Sequence, residues 1–243
     1  MRRIVPRWAA VAACGLAGML VVSGCVPSSW HIGSALLYQH QTVLKTKPYR
    51  VSGFRQARIS NTRLAAEVAN LNVGYNKYKH KTKIGYTPAD MPREVLSWML
   101  RFATENQLAT KLGIKVTPAE AQAALAREKA SVVQAGDTLT EAAVLNGLPP
   151  DMLPQLGAWI EVQIALDAAL DNGKAPTSTT GQAALTAKTT HLLCLAAKGM
   201  GIKVNPQYGA YDYGQLAVVA ASPPLSAPSP APSPTKIQST PKC

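Results

Sequence analysis

The chain has 243 residues, with 25 lysines and arginines against 13 aspartates and glutamates for a formal charge of +12, and only two phenylalanines and four tryptophans. That length allows one sizeable core or two small ones, and the alanine-rich, aromatic-poor composition disfavours a β-sandwich and favours helices packed through small residues. A surface so basic draws anionic lipid, wall polymers or acidic partners without naming one of them, and the lack of any repeat of about 20 to 50 residues argues against a solenoid.

Arg2, Arg3 and Arg7 precede an apolar run from Trp8 to Val22, which ends in Val22-Ser23-Gly24-Cys25. A basic start, an apolar stretch and small residues are the layout of a secretory signal. The run is about 15 residues where roughly 20 cross a bilayer, so a cleaved leader is expected rather than a permanent span. Its last four residues look like a bacterial lipobox, which makes Cys25 the expected lipidation site, carrying chains such as palmitate, and the mature N-terminus. An ordinary signal peptide ending near a cysteine is the alternative. The lipobox reading assigns residues 1–24 to the signal and residues 25–50 to a spacer from the membrane, and it places the protein on the extracytoplasmic side of the cell membrane. The mature chain then keeps 219 residues and a balance of +9. Two or three acyl chains hold firmly where one does not. Cys14 leaves with the leader, so Cys194 and Cys243 remain as either a bridge in an oxidising compartment or, as the apolar run around Cys194 favours, a small buried hydrophobe and a tail thiol.

Ser60 opens the first amphipathic helix, with Leu64, Val68 and Leu71 at helical spacing and Gly74 as its expected stop. The segment Tyr75–Tyr86 then alternates tyrosines with Lys77, Lys79, Lys81 and Lys83. A solvated loop is the expected structure. The alternative is a grip on an anionic polymer in which the lysines supply charge and Tyr75 and Tyr78 stack; no nucleic acid is expected, because no fold motif for it accompanies the run. Pro92 starts the second helix, where Val95, Trp98, Met99 and Phe102 share a face and Gly113 is the left-handed stop. Thr117-Pro118-Ala119-Glu120 combines an N-cap, a first-turn proline and a carboxylate, predicting a third helix from Pro118 to about Val133. Thr138 and Glu141 cap a short fourth helix ending near Asn146-Gly147. Pro149, Pro150 and Asp151 introduce a fifth, whose apolar arc (Leu156, Trp159, Ile160, Val162, Ile164, Leu166) is wide enough to make it central. A last helix is expected from about Ser178 to Lys198, closed by Gly199 and Gly201, and residues 202–209 are expected to be extended. The prediction is an all-α bundle of about five to six helices with short extended segments over residues 51–221, and a disordered Pro/Ser/Ala-rich tail over 222–243.

Motifs for catalysis are missing. No phosphate loop follows a strand, and there is no Gly-x-Ser-x-Gly, His-Glu-x-x-His or Cys-x-x-Cys. His191 and Cys194 are three apart, yet two ligands do not make a metal site. Glu120 and Glu141 are accounted for by capping, and Asp167 and Asp171 sit where a helix ends, so none needs an acid–base role. The expectation is a protein that is not an enzyme, with no cofactor and no metal.

The order of these elements and three segments carry a resemblance: Ile59-Ser60; Leu112-Gly113-Ile114-Lys115-Val116-Thr117-Pro118-Ala119-Glu120; and Val204-Asn205-Pro206-Gln207-Tyr208-Gly209-Ala210-Tyr211-Asp212. From about Ile59 to Asp212 the chain resembles the N-terminal domain of the SurA family of periplasmic chaperones, particularly its short lipoprotein versions. Gln207 and Tyr211 depart from the arginine and tryptophan of the family's Val-Asn-Pro-Arg-Tyr-Gly-x-Trp-Asp ending, and the lysine–tyrosine loop is longer than in the family. The resemblance implies a helical domain that cradles extended, unfolded polypeptide. The family's parvulin isomerase domains would enter at Gly173–Thr177, a joint far too short for one, so the isomerase is expected to be absent and any chaperone action to be binding alone.

An ATP-independent holdase needs a tolerant apolar groove, for which flexible methionines and aromatic anchors are suited. Trp98, Met99, Phe102, Met152 and Trp159 are the candidates for client binding; packing in a closed core is the competing and commoner role for each. The expected partners are unfolded or nascent secreted polypeptides and, through the lipid anchor, the membrane, with homodimerisation left open.

Overall fold

The computed structural model describes residues 54, 58–81, 84–134, 136–171, 178–220 and 243. The leader, Cys25, the spacer, Lys83, the joint from Gly173 to Thr177 and residues 221–242 of the tail lie outside them. Among the described residues the chain forms α1 (Asn61–Tyr78), α2 (Met91–Leu112), α3 (Pro118–Gln134), α4 (Leu139–Leu145), α5 (Leu153–Leu170) and α6 (Thr179–Met200), then β1 (Ala210–Asp212) and β2 (Ala217–Val219). The fold is all-α, as composition and periodicity predict, with one small antiparallel hairpin added.

Local signals set the helix starts. The Ser60 side chain accepts from the Arg63 N–H at 3.2 Å, Thr138 from Glu141 at 3.1 Å and Ser178 from Gly181 at 3.0 Å. The capping box before α3 closes in both directions, the Thr117 N–H donating to the Glu120 carboxylate at 2.7 Å and the Glu120 N–H to the Thr117 hydroxyl at 3.2 Å. The Thr117 N–H and the Thr117 hydroxyl, the latter at 2.8 Å, both donate to the Glu120 carboxylate and hold it below its usual range. Gly113 and Gly201 end α2 and α6 in the left-handed conformation.

Two stops differ from expectation because packing overrides propensity. α1 runs through Gly74 to Tyr78, since Gly74 is buried where a Cβ would lie 2.5 Å from Val144 Cγ2 on α4. The first turn of the expected lysine–tyrosine loop is therefore helical. α6 likewise continues through Gly199, which lies under the Phe54 ring, to Met200. Residues 206–208 form a 3-10 turn within the segment expected to be extended.

Helix α5 touches α2, α3 and α6 and so has the central position its wide apolar arc predicts. Its contact with α3 requires a glycine: a Cβ on Gly157 would strike the Ala121 carbonyl oxygen and lie 2.8 Å from Leu125 Cγ. One apolar cluster joins α1, α2, α4 and α5 around Leu71, Val95, Val144, Leu148, Met152 and Leu156; a second joins α2, α5 and α6 around Leu108, Leu166, Leu193 and Ala196. Two aromatic side chains tie α4 in place, the Tyr86 hydroxyl donating to the Val144 carbonyl at 2.7 Å and the Trp98 N–H to that of Asn146 at 2.9 Å. No helix among the described residues is long and apolar enough to cross a membrane.

Cys194 and Cys243 form a disulfide with Cα atoms 5.8 Å apart. Cys194 is buried in the second cluster, so the burial its apolar surroundings predict is present, and the favoured unbridged state is replaced by the bridge. The bond returns residue 243 to α6.

Candidate functional site

The five apolar candidates for client binding come together, but they face inward. Met152 is fully buried; Met99 and Phe102 are 4% exposed, Trp98 8% and Trp159 9%. Trp98 stacks at a tilt on Phe102 at 5.6 Å between centroids and edge-on against Trp159 at 6.0 Å, forming an aromatic junction between α2 and α5. This is a closed core, not an open groove. Helical spacing identifies such a stripe without telling which side of it another element will cover.

The lysine–tyrosine segment divides similarly. Lys77, Lys79 and Lys81 are exposed at the end of α1, while Tyr78 and Tyr86 are buried and Tyr75 is half-buried. The Lys77 and Lys81 ammonium groups lie 5.1 and 5.7 Å from the Tyr78 ring centroid. Tyr75 packs on Tyr86 at 5.8 Å. Tyr78 therefore presents its ring to two lysines of its own chain, and any polyanion contact here would rest on charge rather than on stacking by Tyr78. The ion pairs among the described residues are Arg93–Asp90 and Arg127–Glu161, neither of which uses these lysines.

His191 is exposed and Cys194 is disulfide-bonded, so the pair three apart does not converge on a metal. Among the described residues no three His, Cys, Asp or Glu side chains cluster as metal ligands.

Periodicity gave little sign of a polar cluster that α2 carries towards α5 and β1. Glu105 is 2% exposed. Burial pushes its carboxyl up to about 7, against the opposing influence of the polar neighbours Gln163 and Trp159 and the charge of Arg101. Arg101, one turn earlier, lies 4.9 Å from the Trp98 ring centroid. Burial lowers the Arg101 pKa while Glu105, Tyr211 and Glu94 oppose the shift. From β1, Tyr211 reaches this group, its phenol raised by burial against the opposing charge of Arg101. In the sequence the cluster shows only as opposite charges, Arg101 and Glu105, at i and i+4 beside the apolar Trp98, Phe102 and Leu108.

The C-terminal hairpin lies over the same part of α2. Its strands pair Ala210 with Val219, Tyr211 with Val218 and Asp212 with Ala217. Asp212 closes the turn by accepting from the Gly214 N–H at 2.7 Å and the Gln215 N–H at 3.0 Å. Val218 enters the first apolar cluster and Leu216 the second. Between them the Val218 N–H donates to the Ser97 hydroxyl at 2.8 Å, and that hydroxyl donates in turn to the Arg93 carbonyl at 2.7 Å. Ser97, Arg101 and Thr104 thus form a polar line along α2, contacted by an extended, mostly apolar segment.

No family model, curated protein or solved structure matches this chain.

Proposed function

We propose that the protein is a lipid-tethered, extracytoplasmic, SurA-like binding module that holds extended segments of unfolded secreted polypeptide without catalysing a reaction. One observation carries the reading: a face of α2 accommodates extended backbone, here the chain's own β2, through a hydroxyl that accepts a main-chain N–H and apolar side chains on either side. Main-chain recognition of this kind tolerates many sequences, which a holdase requires. The Cys194–Cys243 disulfide supports an oxidising compartment, since such bonds persist outside the reducing cytosol. Because Trp98, Met99, Phe102, Met152 and Trp159 are buried, they act in this reading as the rigid backing of α2 rather than as contact residues.

The exposed Lys77, Lys79 and Lys81 favour a second reading, an envelope protein that holds anionic wall or lipid polymers by charge. Salt separates the two, because screening weakens polyanion binding steeply and leaves apolar capture nearly unchanged. The test dilutes a chemically unfolded secreted protein into the unlipidated chain, residues 26–243, while light scattering is followed at low and high salt. Suppression that survives high salt supports client binding. No suppression at several-fold excess rejects it and leaves the polyanion reading.

A further inference from the structure

Resting on the client-binding reading, we propose that the hairpin Ala210–Val219 is a displaceable strap: it occupies in cis the α2 face that an extended apolar segment of client polypeptide takes once the strap lifts.

The hairpin has little to hold itself together. Its strands are three residues each, and an isolated two-stranded hairpin is marginal in water, so its order depends on α2 beneath it. Its turn carries strain, Leu216 being the one non-glycine among the described residues at positive φ (52°), a conformation disfavoured for a branched side chain. Removal would leave Ser97 with an acceptor already oriented by its bond to Arg93.

The strap itself indicates the occupant's chemistry. Leu216-Ala217-Val218-Val219 is apolar, and its tie to α2 is a main-chain N–H, which every residue except proline offers. A lifted strap would stay attached at both ends, following α6 on one side and leading to Cys243, bonded back to α6, on the other. Gly209 is the position at which it can be unfastened. Its φ is 117°, and a Cβ there would strike the Val219 carbonyl oxygen, so Gly209→Ala opposes β1–β2 pairing without touching α2.

The test uses the full chain in detergent and two probes, a fluorescent peptide copying residues 214–220 (Gly-Gln-Leu-Ala-Val-Val-Ala) and a chemically unfolded secreted protein. Gly209→Ala is expected to bind the peptide about tenfold more tightly than the wild type, because the competent population rises. Its helical circular dichroism should be unchanged. Adding Ser97→Ala should remove most of that gain. A helical Gly209→Ala protein that binds no better than the wild type, or binding indifferent to Ser97, overturns the proposal. So does a concentration-dependent dimer, which would mean that a second copy covers the face. Should Gly209→Ala lose its helices, Ser97→Ala alone is expected to speed hydrogen exchange within 210–219 and not in α5; equal protection overturns the strap. The two readings fail separately. If the wild type suppresses client aggregation as well as Gly209→Ala does, the strap falls and client binding stands; if Gly209→Ala binds the peptide but neither protein suppresses aggregation, the strap stands and the chaperone reading falls.

Discussion

Replacing Glu105 by glutamine should flatten the protein's stability across the neutral pH range. The carboxyl has an ordinary value of 4.5 and is raised by burial to about 7 in the folded chain. A group raised on folding binds its proton more tightly in the native state. Its favourable contribution is therefore complete below about pH 4.5 and is lost as pH rises through about 7. A gap of about 2.5 units at about 1.36 kcal/mol each amounts to about 3 kcal/mol, of which about 2.5 kcal/mol is lost between about pH 5 and pH 8. Other carboxyls, notably Glu67, Glu94 and Glu128, are also raised by burial, so the useful quantity is the difference between wild type and Glu105→Gln. The amide keeps the shape and the polar neighbours but does not titrate. Urea denaturation followed by circular dichroism at intervals from about pH 5 to pH 8 should show that difference changing by about 2 to 3 kcal/mol in favour of the variant as pH rises. A difference that stays flat would refute the reasoning, meaning that Glu105 keeps one protonation state in the folded chain throughout the range.

The α3–α5 contact should not tolerate a methyl group: Gly157→Ala is expected to lower stability by about 1 to 3 kcal/mol through overpacking despite its better helix propensity, whereas Gly85→Ala, with open space around it, should change thermal stability by less than about 1 kcal/mol. Trp98→Ala should cost about 3 to 5 kcal/mol in a denaturant melt, because the ring is buried and its N–H bonded to Asn146; full stability with lost client binding would mean that the ring faces a groove. Cys194→Ala should cost about 2 to 4 kcal/mol, given a loop of 49 residues, and should make the melting temperature indifferent to reductant. Replacing Lys77, Lys79 and Lys81 together by glutamine should weaken sedimentation with anionic vesicles at low salt while leaving the melting temperature within a few degrees, since all three side chains are exposed.

Much of the helical fold is legible because its signals are local. Ser60, Thr117 with Glu120, Thr138 with Glu141, Ser178 and Gly113 act within one turn of themselves, and each marks its boundary in the structure. Gly74 and Gly199 misled for the opposite reason. Their role is to admit Val144 and Phe54, residues far away in sequence, so a local reading takes them for stops. The same limit applies to the candidate site. The spacing of Trp98, Met99 and Phe102 identifies an apolar face, and only the arrival of α5, α4 and the hairpin decides that it is closed. Gly209 shows how a motif gains a reason from tertiary structure, because its glycine is required by the passage of Val219 overhead. Arg101 and Glu105 gain their meaning in the same way, since two charges four apart on α2 become a buried polar cluster only when α5 and Tyr211 close over them.

The Ser97–Val218 hydrogen bond joins residues 121 apart, whereas the closely packed Gly157 and Ala121 are 36 apart. A chain that emerges from its N-terminus completes α2 long before residue 218 exists. For that interval the line of Ser97, Arg101 and Thr104 has no hairpin over it, and contacts of such long range are the slowest to form. Closing the hairpin is thus expected late in folding, after the helices it covers. A chain interrupted late in synthesis would carry its helices but leave this surface bare.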